Sequence, residues 1–429
     1  MTQRERAVVS AGAVVAALHT VIDSFVAPDR GTAWSDHLAG GLAPLVLLAV
    51  AAAVYTRLRP GARATLAASL GALSLTGAAL AVADARATFS RGSDWTGFLL
   101  APTGIALLLL SSALLWQSRR GGPRRHLRRT LFAVAAAAGA YWLVVPVALA
   151  LVATHRPRAE RAAVGLAYRP LAYRPVELRT ADGLTLSAAY ARSRNGAAVL
   201  LFPTRGGHAD HARLLRRHGY GVLLVDMRGY DGSEGSPNAF GWGATRDVDA
   251  AVDWLGRQQD VRGGRIGALG LSVGGEQVLE AAAGNGALRA VVAEGAGERS
   301  VRETWLRGVR AAFAMPEAVV QTTAVALFSQ TAPPPSLRDV VARIGPRATF
   351  LIYAGRGGGG EELTPSYFRA AAQPKQVWRI AAAGHTGGLD AVPHEYERRV
   401  VGFFDRYLLG RSGAGVEPTQ RRVTPPDAF

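Results

Sequence analysis

The chain of 429 residues contains no cysteine, which excludes disulfide scaffolds and thiolate metal or redox centres. It has one lysine, Lys375, so all its other basic residues are arginines. Charged residues make up only 19% against 49% hydrophobic ones, and the long apolar runs crowd into the first third, a departure from soluble globular chains. No H-E-x-x-H or comparable histidine–carboxylate spacing is present, so no metal or organic cofactor is implied. The net charge of +17 is spread over both halves without a concentrated patch. Phosphate binding needs cations clustered on one face, so no nucleic-acid partner is expected.

What is present is a two-part chain. Residues 7–27, 38–56, 64–83, 97–116 and 131–153 are each close to the ~20 apolar residues that cross a hydrocarbon core. A five-helix transmembrane region over 1–153 and contact with lipid bilayer are therefore expected. The first run resembles a signal peptide, but four further runs follow it and favour a retained anchor. Arginines gather in alternate short loops: Arg4 and Arg6 before the first span, Arg57, Arg59 and Arg63 after the second, and Arg119, Arg120, Arg124, Arg125, Arg128 and Arg129 after the fourth. Such loops stay cytoplasmic, so an odd number of spans leaves everything after residue 153 outside the cytoplasm. His19 and Asp23 are four apart in the first span and share a helix face. Pairing with each other or with a neighbouring helix is the simpler reading of them.

After a linker over 154–173 the period changes. Short β-type runs at Val199–Phe202, Val222–Val225, Ile266–Leu271, Leu288–Ala293, Thr349–Tyr353 and Val377–Ala381 alternate with amphipathic stretches, as in a parallel sheet covered by helices. Val176–Tyr190, with Asp182-Gly183 at its turn, reads as an antiparallel hairpin opening that sheet. Residues 411–429 read as a disordered tail.

Gly270-Leu271-Ser272-Val273-Gly274 fits G-x-S-x-G and lies between an apolar strand and a helix-forming stretch. A sharp strand-to-helix turn there would lift a serine hydroxyl out of the sheet. The helix-opening amide of Val273 would face a developing oxyanion. A serine nucleophile needs a base held by a third group. Of the two histidines that follow Ser272, His385 sits in a glycine-rich loop after a strand, where such sheets place catalysis, whereas His394 opens the last helix as a surface or capping residue. The acid is open on this reading: Glu361 and Glu362 follow a run of glycines after the Thr349–Tyr353 strand, and Glu294 and Glu298 are fallbacks.

Residues 174–410 resemble an α/β-hydrolase domain. Asp226-Met227-Arg228-Gly229-Tyr230-Asp231-Gly232-Ser233 is similar to that family's D-x-R-G-x-G-x-S loop, and Gly384-His385 resembles its catalytic G-H. The resemblance implies an α/β-hydrolase fold behind an all-α transmembrane region, with a possible cap over 296–344. It also favours Glu361 over Glu362, because Glu361 and Pro365 keep the family's acid-to-proline spacing. Two departures stand out: the acid is Glu rather than Asp, and Pro203-Thr204-Arg205-Gly206 replaces the usual His-Gly, leaving Thr204 or Arg205 to supply the second oxyanion amide. The expectation is a membrane-anchored serine hydrolase, with Ser272, His385 and Glu361 acting on an ester, thioester or amide. The substrate would be an acyl-bearing small molecule, lipid or peptide. An envelope acyltransferase using the same nucleophile and a non-catalytic membrane scaffold are the alternatives.

Overall fold

The computed structural model describes residues 2–26, 38–87, 92–117, 122–155, 173–202 and 208–411. Most of the expected linker, the tail from residue 412, and both Thr204 and Arg205 lie outside these. The chain forms two compact units: residues 1–160, 236–239 and 312–331, and residues 161–235, 240–311 and 332–429.

The first unit opens with five helices, α1 (Gln3–Val21, continued by a π turn over Ile22–Val26), α2 (Leu38–Tyr55), α3 (Pro60–Ala87), α4 (Gly92–Gln117) and α5 (Pro123–Thr154). Each covers one expected span. Among the described residues, the segments long and apolar enough to cross a membrane by length and composition are Gln3–Val26, Thr96–Gln117, Pro123–Thr154 and Val301–Ser329, with Pro44–Tyr55 a shorter apolar stretch. The expected spans at 38–56 and 64–83 correspond to α2 and α3, and Val301–Ser329 lies in the stretch expected as a possible cap. α3 packs closely on its neighbours: Ala64, Ala67, Ala68 and Ala78 are buried against protein, Ser111 Oγ donates to Ala64 O at 2.8 Å, and an added Cβ on Gly71 would meet Gly104 O at 3.0 Å. A helix that faces other helices is selected for small residues more than for apolarity.

Polar side chains link helices in this unit. Glu5 closes a capping box with Thr2 and accepts from Arg63 Nη1 at 2.9 Å and Tyr55 Oη at 3.1 Å. His19 Nδ1 lies 3.0 Å from Thr96 Oγ1 on α4, a contact with a neighbouring helix.

The second unit is built on an eight-stranded sheet: β1 (Arg174–Arg179), β2 (Thr185–Ala191), β3 (Ala198–Phe202), β4 (Gly221–Val225), β5 (Ile266–Leu271), β6 (Leu288–Glu294), β7 (Ala348–Ala354) and β8 (Lys375–Ile380). Their spatial order is β1-β2-β4-β3-β5-β6-β7-β8. β2 runs antiparallel to β1 and β4, and all later pairs are parallel. Strands covered on both faces read as continuous apolar runs. β3 and β4 are accordingly buried at every residue.

The covering helices are α6 (Ala209–Arg217), α7 (Thr245–Gly256), α8 (Val273–Gly284), the short α9 (Val301–Thr304), α11 (Leu337–Ala342), α12 (Thr364–Ala370), the short α13 (Gly388–Ala391) and α14 (Pro393–Phe404), and α10 (Ala311–Ser329) separates α9 from α11. On α6, Ala212, Leu214 and Leu215 are buried while Arg213 and Arg217 face solvent, which is the apolar stripe of a sheet-covering helix. Phe202, Phe350 and Phe404 are fully buried, each contributing about 1.5–3 kcal/mol by the removal of its surface from water.

The loop after β4 is held by charge. Arg228 donates through Nε to Asp247 Oδ1 at 2.8 Å and through its backbone N to Asp247 Oδ2 at 2.9 Å, while Nη1 reaches Asp182 Oδ2 at 2.7 Å. Asp247 is fully buried at the start of α7. The D-x-R-G segment thus ties the β1–β2 turn to α7, a structural role.

Candidate active site

β5 ends in a turn whose backbone is strained. Ser272 has φ 54° and ψ −125°, a region that L-residues occupy only when their surroundings enforce it. The enforcement is local: a Cβ on Gly270 would lie 2.2 Å from Gly274 O, so only glycine lets strand and helix approach this closely. Ser272 N donates to Glu294 O at 2.8 Å, and its carbonyl accepts Gly275 N at 2.8 Å. Val273 is the first residue of α8, so its amide belongs to the helix-opening group that has no intrahelical acceptor.

The loop after β8 brings His385 to this serine. Its Nε2 lies 2.8 Å from Ser272 Oγ, and its Nδ1 lies 2.5 Å from Glu361 Oε1. Glu361 is nearly inaccessible while the imidazole is 45% exposed, so the ring can reach both carboxylate and solvent-side substrate. Glu361 Oε2 accepts Ala354 N at 2.8 Å, which fixes the carboxylate to the end of β7. The hydrogen bond to Glu361 raises the His385 pKa against the lowering effect of burial, and the negative charges of Glu361 and Glu294 act in the same upward direction.

The other sequence candidates go elsewhere. Glu362 is exposed and its nearest cation is Arg307, 3.8 Å away. Glu298 accepts from Thr304 Oγ1 and Arg307 Nε. Glu294 accepts Gly388 N at 2.8 Å and Tyr396 Oη at 2.6 Å, and burial raises its pKa. One residue at the end of β6 therefore holds the nucleophile turn through its carbonyl and the histidine loop through its carboxylate. That double role was not read from the sequence; a carboxylate closing an otherwise apolar buried strand was the available signal. His394 is exposed in the first turn of α14.

Among the described residues no group of three or more histidines and carboxylates is placed to hold a metal ion. His208 and His211, at the start of α6, are buried with ring centroids 6.1 Å apart. Their ring nitrogens meet no hydrogen-bond partner among the described residues. Burial pushes them down to about 3 and about 4 respectively.

A mostly parallel sheet with one antiparallel strand near its edge, flanked by helices and carrying a serine on a strained strand-to-helix turn, defines an α/β-hydrolase domain of the serine-hydrolase class. The chain belongs to the X-Pro dipeptidyl-peptidase (S15) family, which matches residues 150–376. The match contains Ser272 and Glu361 and ends before His385. An uncharacterized protein of Mycobacterium tuberculosis H37Rv is 38% identical over 108 residues, 24% of this chain and 38% of that protein, and the same figures hold for strain CDC 1551. The chain thus spans 38% of the length of the curated relatives it matches.

Among solved structures, an esterase of Pyrococcus furiosus is 22% identical with a TM-score of 0.46, over 59% of this chain and 99% of its own. An α/β hydrolase of Penicillium sp. sh18 is 21% identical with a TM-score of 0.46, over 55% and 99%. An acylaminoacyl peptidase of Pyrococcus horikoshii is 14% identical with a TM-score of 0.43, over 59% and 44%.

Proposed function

We propose that this serine hydrolase is membrane-anchored and cleaves an acyl bond through an acyl-enzyme formed on Ser272. The observation that carries the reading is the unbroken chain of contacts from Ser272 Oγ through both nitrogens of His385 to Glu361. Ser272 Oγ attacks the carbonyl carbon while His385 Nε2 takes its proton. The imidazolium then returns that proton to the leaving amine or alcohol, and a water attacks the ester in the reverse sequence. Glu361 holds the ring in the tautomer with Nδ1–H and stabilises its charged form. The amide of Val273 supplies one oxyanion donor; Thr204 and Arg205, expected to supply the second, lie outside the described residues.

Esters, thioesters and amides all fit this chemistry. Family membership favours an amide that follows an X-Pro dipeptide. The test is a substrate panel on the detergent-solubilised full chain, setting X-Pro coumarin amides against nitrophenyl esters of varied acyl length. Turnover that disappears in Ser272→Ala supports the reading; turnover that survives in that variant overturns it.

Anchoring rests on the apolar helices of the first unit, whose length and composition suit a bilayer. The arginine-rich loops after α2 and α4 support an extracytoplasmic catalytic domain. Reporter fusions after residues 63, 129 and 160 test this: cytoplasmic signals at the first two and an external one at the third are expected, and a cytoplasmic signal at 160 overturns the orientation.

A further inference from the structure

Among the described residues, Val301–Ser329 is one of four segments long and apolar enough to cross a membrane, and the topology forbids it to do so. The chain enters it from β6 and leaves it toward β7, and these strands are hydrogen-bonded neighbours, with Ala290–Glu294 in register with Ala348–Ile352. A single crossing would place halves of one sheet on opposite sides of a bilayer. A return crossing is also closed. Residues 330–336, Gln-Thr-Ala-Pro-Pro-Pro-Ser, are all that separate α10 from α11. Fully extended they reach about 24 Å, short of the ~30 Å hydrocarbon core, and a proline-rich extended segment would leave its carbonyls unpaired in lipid.

The segment is nevertheless poorly suited to water. Trp305, Val309, Phe313 and Leu327 are between 66% and 91% exposed, and Glu317 is the only charged residue of α10 itself. Its root carries Arg302, Arg307 and Arg310, cations of the kind that sit at a headgroup layer. Residues 312–331 belong to the same compact unit as the N-terminal helices. Within it Phe328 packs edge-on against His155, with ring centroids 6.0 Å apart. His155 caps the C-terminal end of α5, so the far end of α10 lies level with the point where α5 leaves the hydrocarbon.

We infer that α10 is embedded in one leaflet with its axis along the membrane, a second attachment of the catalytic domain to the phospholipid surface. The inference rests on the anchoring proposed above. The seven-residue return and the pairing of β6 with β7 hold both ends of the helix on one side. Its exposed aromatic and aliphatic side chains take the boundary between headgroups and acyl chains.

Because the chain has no cysteine, single probes can be placed without background. Phe313→Cys, Val319→Cys and Leu327→Cys on α10, and Leu143→Cys in the middle of α5, are each labelled with a nitrobenzoxadiazole fluorophore. The full chain is reconstituted in phosphatidylcholine–phosphatidylglycerol vesicles carrying nitroxides either near the headgroup or near the acyl terminus. All three α10 positions are expected to be quenched about twofold or more strongly by the shallow nitroxide than by the deep one, and Leu143→Cys more strongly by the deep one. Deep quenching that dominates at any α10 position overturns the inference. Quenching at Leu143→Cys with none at the three α10 positions also overturns it and leaves the anchoring intact. No quenching at any of the four positions overturns both.

Discussion

The buried pair His208 and His211 gives the catalytic domain a specific acid sensitivity. Burial lowers their pKa values from the ordinary 6.5 to about 3 and about 4. A base whose pKa is depressed in the fold contributes its full stability above the unfolded value and loses it as pH falls, because the unfolded chain then binds the extra protons. One pKa unit is worth about 1.4 kcal/mol. Taking the pH from 7.5 to 4.5, two units below the unfolded value, therefore removes about 5 kcal/mol for the two together, a large part of an ordinary domain's stability.

Glu276 opposes them. Burial pushes its carboxyl up to about 8, so its penalty at neutral pH is relieved on acidification by about 3 kcal/mol over much the same range. The wild-type curve alone thus mixes two terms of opposite sign, and a difference curve separates them. The perturbation is His208→Leu with His211→Leu, and the assay is urea unfolding of the solubilised full chain by tryptophan fluorescence at a series of pH values. The stability difference, variant minus wild type, should grow by about 5 kcal/mol between pH 7.5 and 4.5. A difference that stays constant within about 1 kcal/mol would refute the reasoning.

Three further outcomes are expected. Glu361→Gln should lower kcat/KM by about 10³–10⁴ and, since the carboxylate raises the His385 pKa, move the acidic limb of the pH profile to lower pH. Glu362→Gln, on an exposed side chain, should change neither by more than about twofold, and equal losses in both variants would count against Glu361 as the acid. Arg228→Gln should cost about 3 kcal/mol in urea unfolding, because it leaves the buried Asp247 carboxylate without its guanidinium partner. Gly270→Ala should abolish probe labelling of Ser272, since its Cβ would fall 2.2 Å from Gly274 O; full labelling would contradict the strained turn.

Much of this architecture was legible because the physics behind it is local. Strands buried on both faces must be apolar throughout, so β3 through β7 announce themselves as short runs such as Ala198–Phe202 and Ile266–Leu271. The glycines around Ser272 are visible because the turn tolerates little else. Glu361 and Glu362 look alike in sequence. Only the acid-to-proline spacing of the family resemblance favours Glu361 there; in three dimensions the end of β7 holds its carboxylate beside His385, and Glu362 lies toward Arg307. Long-range pairing accounts for most of what stayed hidden. Nothing local distinguishes α10 as a span, a cap or a core helix, and the decision lies in the hydrogen bonds between β6 and β7 on either side of it. Likewise the sequence of α3 gives its apolar length, while the packing of Ala64 against α4 and α5 is seen only in three dimensions. The tie between Glu294, Gly388 and Tyr396 joins positions about a hundred residues apart.

All of the proposed chemistry depends on Ser272 being a nucleophile activated by His385. Labelling of membranes containing the full chain with a fluorophosphonate probe tests it most directly, comparing wild type with Ser272→Ala and His385→Ala. A labelled wild-type band carrying the adduct on Ser272 is expected, with none in Ser272→Ala and a strongly reduced one in His385→Ala. A folded wild type that takes no label, or a band that persists in Ser272→Ala, would contradict it.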